Sequence, residues 1–418
     1  MVHKPGKPGI VIGDYKRVAS NSSFSPTTAA PSAGTFTGLY IHIPFCLHKC
    51  PYCDFYSITD LSRKPAYIDA LIAEIDQRCS PAHTFDTVYI GGGTPSTLTG
   101  NDVKRILAAV NNSGNILPGA EITLEVNPGT VTHGTFAAYR QAGITRISIG
   151  VQSFNDRLLG VLGRIHTAAE ARQAIDQALA ADFNRVGMDL IYGIPDQSMT
   201  DLDADLDRAT GLGMDHLSGY MLSFEPGTRL EARRRAGHIQ PLADTVIADM
   251  YRTIVSTLAR RGYRQYEISN FARTGCRSRH NAKYWTGAPY IGLGAGAHSF
   301  DGAARSWNDR DIDLYIQSIT AGRLPVAGRE KLTPYQQMLE AVLLGLRTTA
   351  GIDKIDFSHR FNVDFNTRFD EITADLRHRK FIDENGHRLA LTMEGMLRLD
   401  AIVAQIAGRI PDYPVITR

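Results

Sequence analysis

Several things are scarce in this chain of 418 residues, and each scarcity removes a class of function. No apolar run approaches the ~20 residues that cross a bilayer, so at most peripheral membrane contact is expected. Five cysteines, an odd number, do not read as a disulfide framework. Excess charge is missing too: a net +2 gives no electrostatic case for nucleic acid or for an acidic membrane surface. What remains is ordinary globular composition, 43% hydrophobic and 21% charged, long enough for one large domain and a small one. Residues 1–36 are polar and rich in Ser, Thr, Pro and Gly, which predicts a disordered leader. It lacks the apolar core of a secretory signal. Lys4, Lys7, Lys16 and Arg17 against Asp14 are compatible with an organelle transit segment, but no amphipathic Arg/Ser helix accompanies them, which disfavours it.

The cysteines that are present are concentrated. Cys46, Cys50 and Cys53 fall within eight residues, in Pro44-Phe-Cys-Leu-His-Lys-Cys-Pro-Tyr-Cys-Asp-Phe55. Incidental buried thiols would scatter. Three thiols at Cys-x3-Cys-x2-Cys are one short of a closed structural zinc site. They suit a cubane [4Fe–4S] cluster in which three irons take thiolates and the fourth keeps an open position. Such a loop needs reduced thiols, which fits a cytoplasmic location. Cys79 and Cys276 stand apart and read as non-ligands.

Around this loop the chain alternates strand and helix. Short β-rich runs occur at 39–43, 87–90, 122–126, 145–149, 185–191 and 216–222. Helical spacing lies between them, as in Val103, Ile106, Leu107 and Val110, and Thr167-Ala-Ala-Glu170 is a capping box. Continuous apolar strands alternating with helices predict a parallel sheet covered by helices. Six units predict an α/β fold, an open TIM-like (β/α)6 barrel; a doubly wound sheet has the same local signature. In a parallel βα barrel, working residues gather at the C-terminal strand ends. Here the cysteine loop, Gly91-Gly-Gly-Thr-Pro95, Glu125, Gln152, Asp189 and Tyr220 each fall at such an end. The barrel is expected over 37–300.

From 301 to 418 the pattern changes. Thr333-Pro-Tyr-Gln336 is a capping box with Pro at the first helical position, opening a stripe of Leu339, Val342, Leu343 and Leu346. A second helix carries Phe365, Phe369, Ile372 and Leu376. Asn385-Gly386 between two short apolar runs predicts a hairpin, and one last helix is expected to bury Met396, Leu399, Val403 and Ile406. This is a small winged-helix-like α+β domain. DNA binding by it is disfavoured, because Asp370, Glu371 and Asp375 offset Arg368, Arg377, Arg379 and Lys380.

The cysteine spacing, Leu39-Tyr-Ile-His-Ile-Pro44 before it and Gly91-Gly-Gly-Thr-Pro95 after it resemble the radical S-adenosylmethionine (SAM) superfamily. The resemblance is strongest over about 38–300, to the branch with oxygen-independent coproporphyrinogen III oxidases and HemW-type heme chaperones. It implies a [4Fe–4S] cluster on Cys46, Cys50 and Cys53. It implies that SAM is held by Tyr40, Tyr52, Gly92, Gly93, Thr94, Glu125, Gln152, Arg164 and Asp189, some of which serve a second SAM in the oxidase. The residue types agree. Glycines let backbone approach a ligand, Glu125 and Asp189 accept from ribose hydroxyls or an ammonium, and Arg164 can pair a carboxylate.

The oxidase pattern continues to a fourth cysteine, where this chain has Phe55. That points to the chaperone branch, as does His280-Asn-Ala-Lys-Tyr-Trp285, which is similar to that branch's heme-associated motif. His280 or Tyr284 is then an expected axial ligand and Trp285 an expected cover of the porphyrin face, with His298 as a rival ligand. The leading expectation is a heme chaperone that passes heme to apo-hemoproteins such as respiratory enzymes. The alternative is a radical SAM enzyme acting on a porphyrin substrate, as an oxidase or methyltransferase.

Overall fold

The computed structural model describes residues 36–410. The expected leader therefore lies outside the described residues, apart from Phe36. Six parallel strands, β1 (Thr37–Ile43), β2 (Thr84–Gly92), β3 (Asn115–Val126), β4 (Arg146–Gln152), β5 (Arg185–Tyr192) and β6 (His216–Met221), lie side by side in chain order. That order decides between the two architectures left open by periodicity. A doubly wound sheet reverses its strand order at a switch point. Here every crossover runs the same way, and right-handed crossovers then place all helices on one face of a curling sheet. The fold is an open TIM-like barrel.

The core forms between that sheet and its helices. Ile41, Val88, Ile90, Leu124, Ile147 and Met188 are buried, and they meet the apolar faces of Lys64–Arg78, Gly100–Ser113 and Ala168–Ala180. The Thr167/Glu170 capping box is present, and such a cap contributes about 1 kcal/mol. β3 starts seven residues before its apolar run. Pro118-Gly119 reads as a break, yet it lies opposite a register shift between Phe85 and Thr87, where a proline costs no ladder bond.

The sheet also extends beyond the six strands. Tyr290–Leu293 pairs parallel to β1 on its outer side, followed by antiparallel His298–Phe300, Ala304–Asn308 and Val326–Lys331. Asn270–Ala272 and Arg264–Glu267 extend the β6 edge. The barrel stays open because both edges of its parallel part are occupied by added strands. The sheet runs on to Lys331, past residue 300.

After it come Pro334–Arg347, Ile352–Asp353, Lys354–Phe361, Phe365–His378, Ile382–Asn385 and Arg388–Leu391. Helix–strand–helix–helix–strand–strand with a three-stranded sheet is the winged-helix order. Two details correct the expectation. Asn385 is paired with Arg388, so the hairpin turn is Gly386-His387, with Gly386 at φ +60°, the glycine-first arrangement of a two-residue loop. The last helix is also two pieces, Met393–Met396 and Leu399–Ala407, because Arg398 leaves helical geometry at φ −121°.

Candidate functional site

The C-terminal ends of β1 to β6 open into one cavity, and all nine residues expected to hold SAM line it. The cysteine loop closes one side. It leaves β1 and returns through paired backbone bonds, Cys46 N to the Ile58 carbonyl at 2.9 Å and Ile58 N to the Pro44 carbonyl at 2.7 Å. Inside it Cys53 N donates to the Cys50 carbonyl at 3.1 Å. Burial pushes the Cys53 thiol up to about 11. Burial raises Cys46 as well, against the hydrogen bond from the Thr94 hydroxyl. Left to themselves these thiols stay protonated, so their thiolates need a compensating cation such as iron.

The turn after β2 is locked to this loop. Gly93 N donates to the Ile43 carbonyl at 2.8 Å and Thr94 N to the Phe45 carbonyl at 2.7 Å. Gly92 has φ +116°, and a Cβ there would meet the His42 ring at 2.6 Å. A Cβ on Gly93 would sit 2.9 Å from the Ile43 and Phe45 carbonyl oxygens and 3.1 Å from Cys46 Sγ. Only glycine fits either position.

Glu125 stands at the end of β3, accepting from Tyr89 Oη at 2.6 Å and from Gly92 N at 3.1 Å. Burial raises its pKa above the ordinary carboxylate value, opposed by the Tyr89 hydroxyl. Gln152 ends β4 at φ +70°, a strained conformation for a residue with a side chain and one that clusters at functional sites. Asp189 reaches the cavity from β5 and Tyr220 from β6. Arg164 joins the far wall to the cysteine loop: Nη2 donates to the Gly150 carbonyl at 2.8 Å, while Nη1 approaches Cys50 Sγ at 3.6 Å and Tyr52 Oη at 3.5 Å. Phe55, where the oxidase pattern has cysteine, is an apolar part of the wall.

The sequence did not single out His42, Arg146 or Arg310, which also line the cavity. His42 had a signal: two residues after Tyr40 on one strand, it shares that face, and Tyr40 Oη lies 3.0 Å from its Nδ1. Arg146 and Arg310 carried none, since their positions follow from tertiary packing.

The heme-motif residues fall differently. His280, on the helix Arg279–Thr286, is fully buried, with Nδ1 at 2.9 Å from Thr87 Oγ1 and Nε2 at 3.0 Å from Tyr284 Oη. Burial lowers its pKa to about 3, and Lys283 acts the same way. Both ring nitrogens are engaged within the protein, an arrangement that suits packing, and axial ligation by His280 would require one of these bonds to be exchanged. Tyr284 borders the cavity, Trp285 does not, and His298 does. Cys79 caps the helix Lys64–Arg78, and Cys276 packs with Tyr266 and Ala272.

Residues 40–209 match the family model described as the Radical SAM superfamily, and residues 332–398 match the HemN C-terminal domain. The chain is 37% identical over 385 residues to the protein named heme chaperone HemW of Mycobacterium tuberculosis, covering 91% of this chain and 97% of that one. To the protein of the same name in Bacillus subtilis it is 32% identical over 377 residues, covering 89% and 99%. The chain belongs to the HemW family of radical SAM proteins. In fold it is similar to the coproporphyrinogen III oxidase (HemN) of Escherichia coli, with a TM-score of 0.77 at 22% identity over 89% of this chain and 90% of that one.

Membership of the radical SAM superfamily implies a [4Fe–4S] cluster and SAM. The residues present fit both: three thiols in one closed loop, and beside them a glycine-walled cavity with the half-buried carboxylates of Glu125 and Asp189. Among the described residues no group of His, Cys, Asp or Glu is arranged to hold a single metal ion. A cubane asks for something else, three thiolates each on its own iron.

Proposed function

We propose that this chain is a radical SAM heme carrier that holds heme and delivers it to apo-hemoproteins, such as respiratory enzymes, in the cytoplasm. Cys46, Cys50 and Cys53 hold the cluster. Gly92, Gly93 and Thr94 bring backbone against the methionine end of SAM, and Glu125 and Asp189 accept from its ammonium or ribose. Tyr40, Tyr52, Gln152 and Arg164 complete its walls. Together, cluster and SAM supply one-electron cleavage of a carbon–sulfur bond. The protein's own share is positional: Arg164 fixes the cysteine loop against β4, and Tyr89 orients Glu125.

The observation that carries this reading is Phe55 in the cavity wall, in a chain whose relatives are named heme chaperones. An apolar ring at that position supplies neither an iron ligand nor a proton donor, which counts against porphyrin decarboxylation. No helix among the described residues is long and apolar enough to cross a membrane. The test is transfer. Heme-loaded, anaerobically reconstituted protein should convert an apo-hemoprotein to its holo form faster than the same heme bound to albumin, and an equal or slower rate would remove the carrier role.

A further inference from the structure

The helix Arg279–Thr286 separates two cavities. His280 faces the barrel interior, stacked on Tyr89 with centroids 5.1 Å apart, while Tyr284 borders both spaces. Trp285 faces a second cavity, between this helix, the strand Ala304–Asn308 and the C-terminal helices Pro334–Arg347 and Lys354–Phe361. At about 270 Å³ it is roomier than the first, at about 170 Å³. Its walls are aromatic and aliphatic, with Trp285, Phe300, Phe361, Leu344 and Leu399 among them.

Its polar groups are cationic and incompletely satisfied. Trp285 Nε1 and Arg305 Nε are buried donors without a hydrogen-bond acceptor, while Arg347 Nε has the Glu267 carboxylate at 2.9 Å. Arg305 is ion-paired with Glu340 at 2.7 Å and Arg347 with Glu267 at 2.9 Å, and the Arg347 guanidinium lies 4.6 Å over the Trp285 ring. Arg360 is exposed at the edge. The bordering carboxylates are largely committed or outward: Glu340 to Arg305, Asp353 to His387 and Arg388, with Asp356 and Asp400 exposed. An unsatisfied buried donor costs about 1–3 kcal/mol, and two of them beside the Arg347 and Arg360 guanidinium groups around one apolar space suit a flat ligand with acidic edge groups.

We propose that this second cavity, not the SAM cavity, is the seat of heme, with the macrocycle against Trp285 and its aromatic and aliphatic neighbours and the propionates on Arg305 and Arg360. The proposal rests on the heme-carrier reading above. It places heme outside the barrel, across the Arg279–Thr286 helix from the cluster. No histidine, cysteine or methionine is among the residues that line it, and its two tyrosines, Tyr284 and Tyr290, are buried, with the Tyr284 hydroxyl already beside His280 Nε2, so heme there is held by ring contact and carboxylate pairing. A carrier that must release heme has then no imidazole–iron bond to break.

The experiment titrates heme, metal-free protoporphyrin IX and heme dimethyl ester into the reconstituted full chain and into three variants. Leu344→Trp fills the second cavity, Arg305→Gln with Arg360→Gln removes the carboxylate partners, and His298→Ala alters the first cavity. SAM affinity reports that each variant is folded. Heme should bind at least tenfold more weakly to Leu344→Trp and to the arginine variant, with SAM affinity unchanged and His298→Ala like wild type. The dimethyl ester should not distinguish the arginine variant from wild type, and metal-free porphyrin should bind within about tenfold of heme. If Leu344→Trp loses SAM binding as well, the arginine variant decides. Wild-type heme affinity in both second-cavity variants, or loss confined to His298→Ala, overturns the location. Absence of heme binding by wild-type protein instead overturns the carrier reading itself.

Discussion

The Thr94 hydroxyl donates to Cys46 Sγ at 3.3 Å. This contact joins the turn after β2 to the loop after β1, so the wall of the SAM cavity and the cluster loop form one mechanical unit. Gly93 is the closest point of that junction, with no room for a methyl group. In the proposed arrangement, two cofactors that must touch are placed by two adjacent strands of a rigid sheet.

The junction makes a specific demand on Gly93. Gly93→Ala should lower iron incorporation and SAM affinity together, the latter at least tenfold, about 1.4 kcal/mol. Iron analysis and SAM titration of the same preparation check it. Full iron loading with normal SAM affinity would show that the turn is free to move.

The cysteines themselves should account for the cluster. Anaerobic reconstitution should give about four irons per chain, and Ala at Cys46, Cys50 or Cys53 should abolish or cripple loading. Replacement of Cys79 or Cys276 should leave it unchanged. A triple variant of the loop cysteines that still loads fully would contradict the assignment.

Phe55 carries the third expectation. With coproporphyrinogen III, SAM and a reductant, the reconstituted protein should form no protoporphyrinogen above a protein-free control. Sustained product formation would make this chain an enzyme on porphyrins.

Much of this site was legible in the sequence because its residues sit at strand ends in short motifs. Glycine, cysteine and carboxylate at those positions have few other uses, and the strand–helix rhythm told which end of the sheet they share. The strand Tyr290–Leu293 beside β1 was not legible, since its pairing depends on partners about 250 residues away. The surroundings of His280 were hidden for a related reason. The motif names the residue, but only packing shows that Thr87 and Tyr284 take both its nitrogens. The second cavity could not be read at all, because Arg305, Arg347 and Arg360 meet only when the C-terminal helices dock.

The packing role of His280 has a pH signature. Its folded pKa of about 3 lies below the ordinary value of about 6.5. Between those values the unfolded chain binds the extra proton, so this group's contribution is intact above pH 6.5. It is lost as pH falls toward 3, by up to about 1.4 kcal/mol per pH unit. In cluster-free protein, melting temperature should fall less steeply between pH 6.5 and 4.5 for His280→Gln than for wild type, although that variant starts lower. Identical slopes would mean that His280 is already protonated or exposed in the folded chain.

As a heme carrier, this chain should bind heme and give it away without acting on it chemically. This is tested most directly by following one sample of heme-loaded, cluster-containing protein mixed with SAM, a reductant and an apo-hemoprotein. Absorbance of the acceptor's holo form should grow as heme leaves this chain, and the porphyrin recovered by mass spectrometry should be unmodified. A recovered porphyrin that has gained a methyl group or lost a carboxyl group, or heme that stays on this chain, would contradict the carrier role.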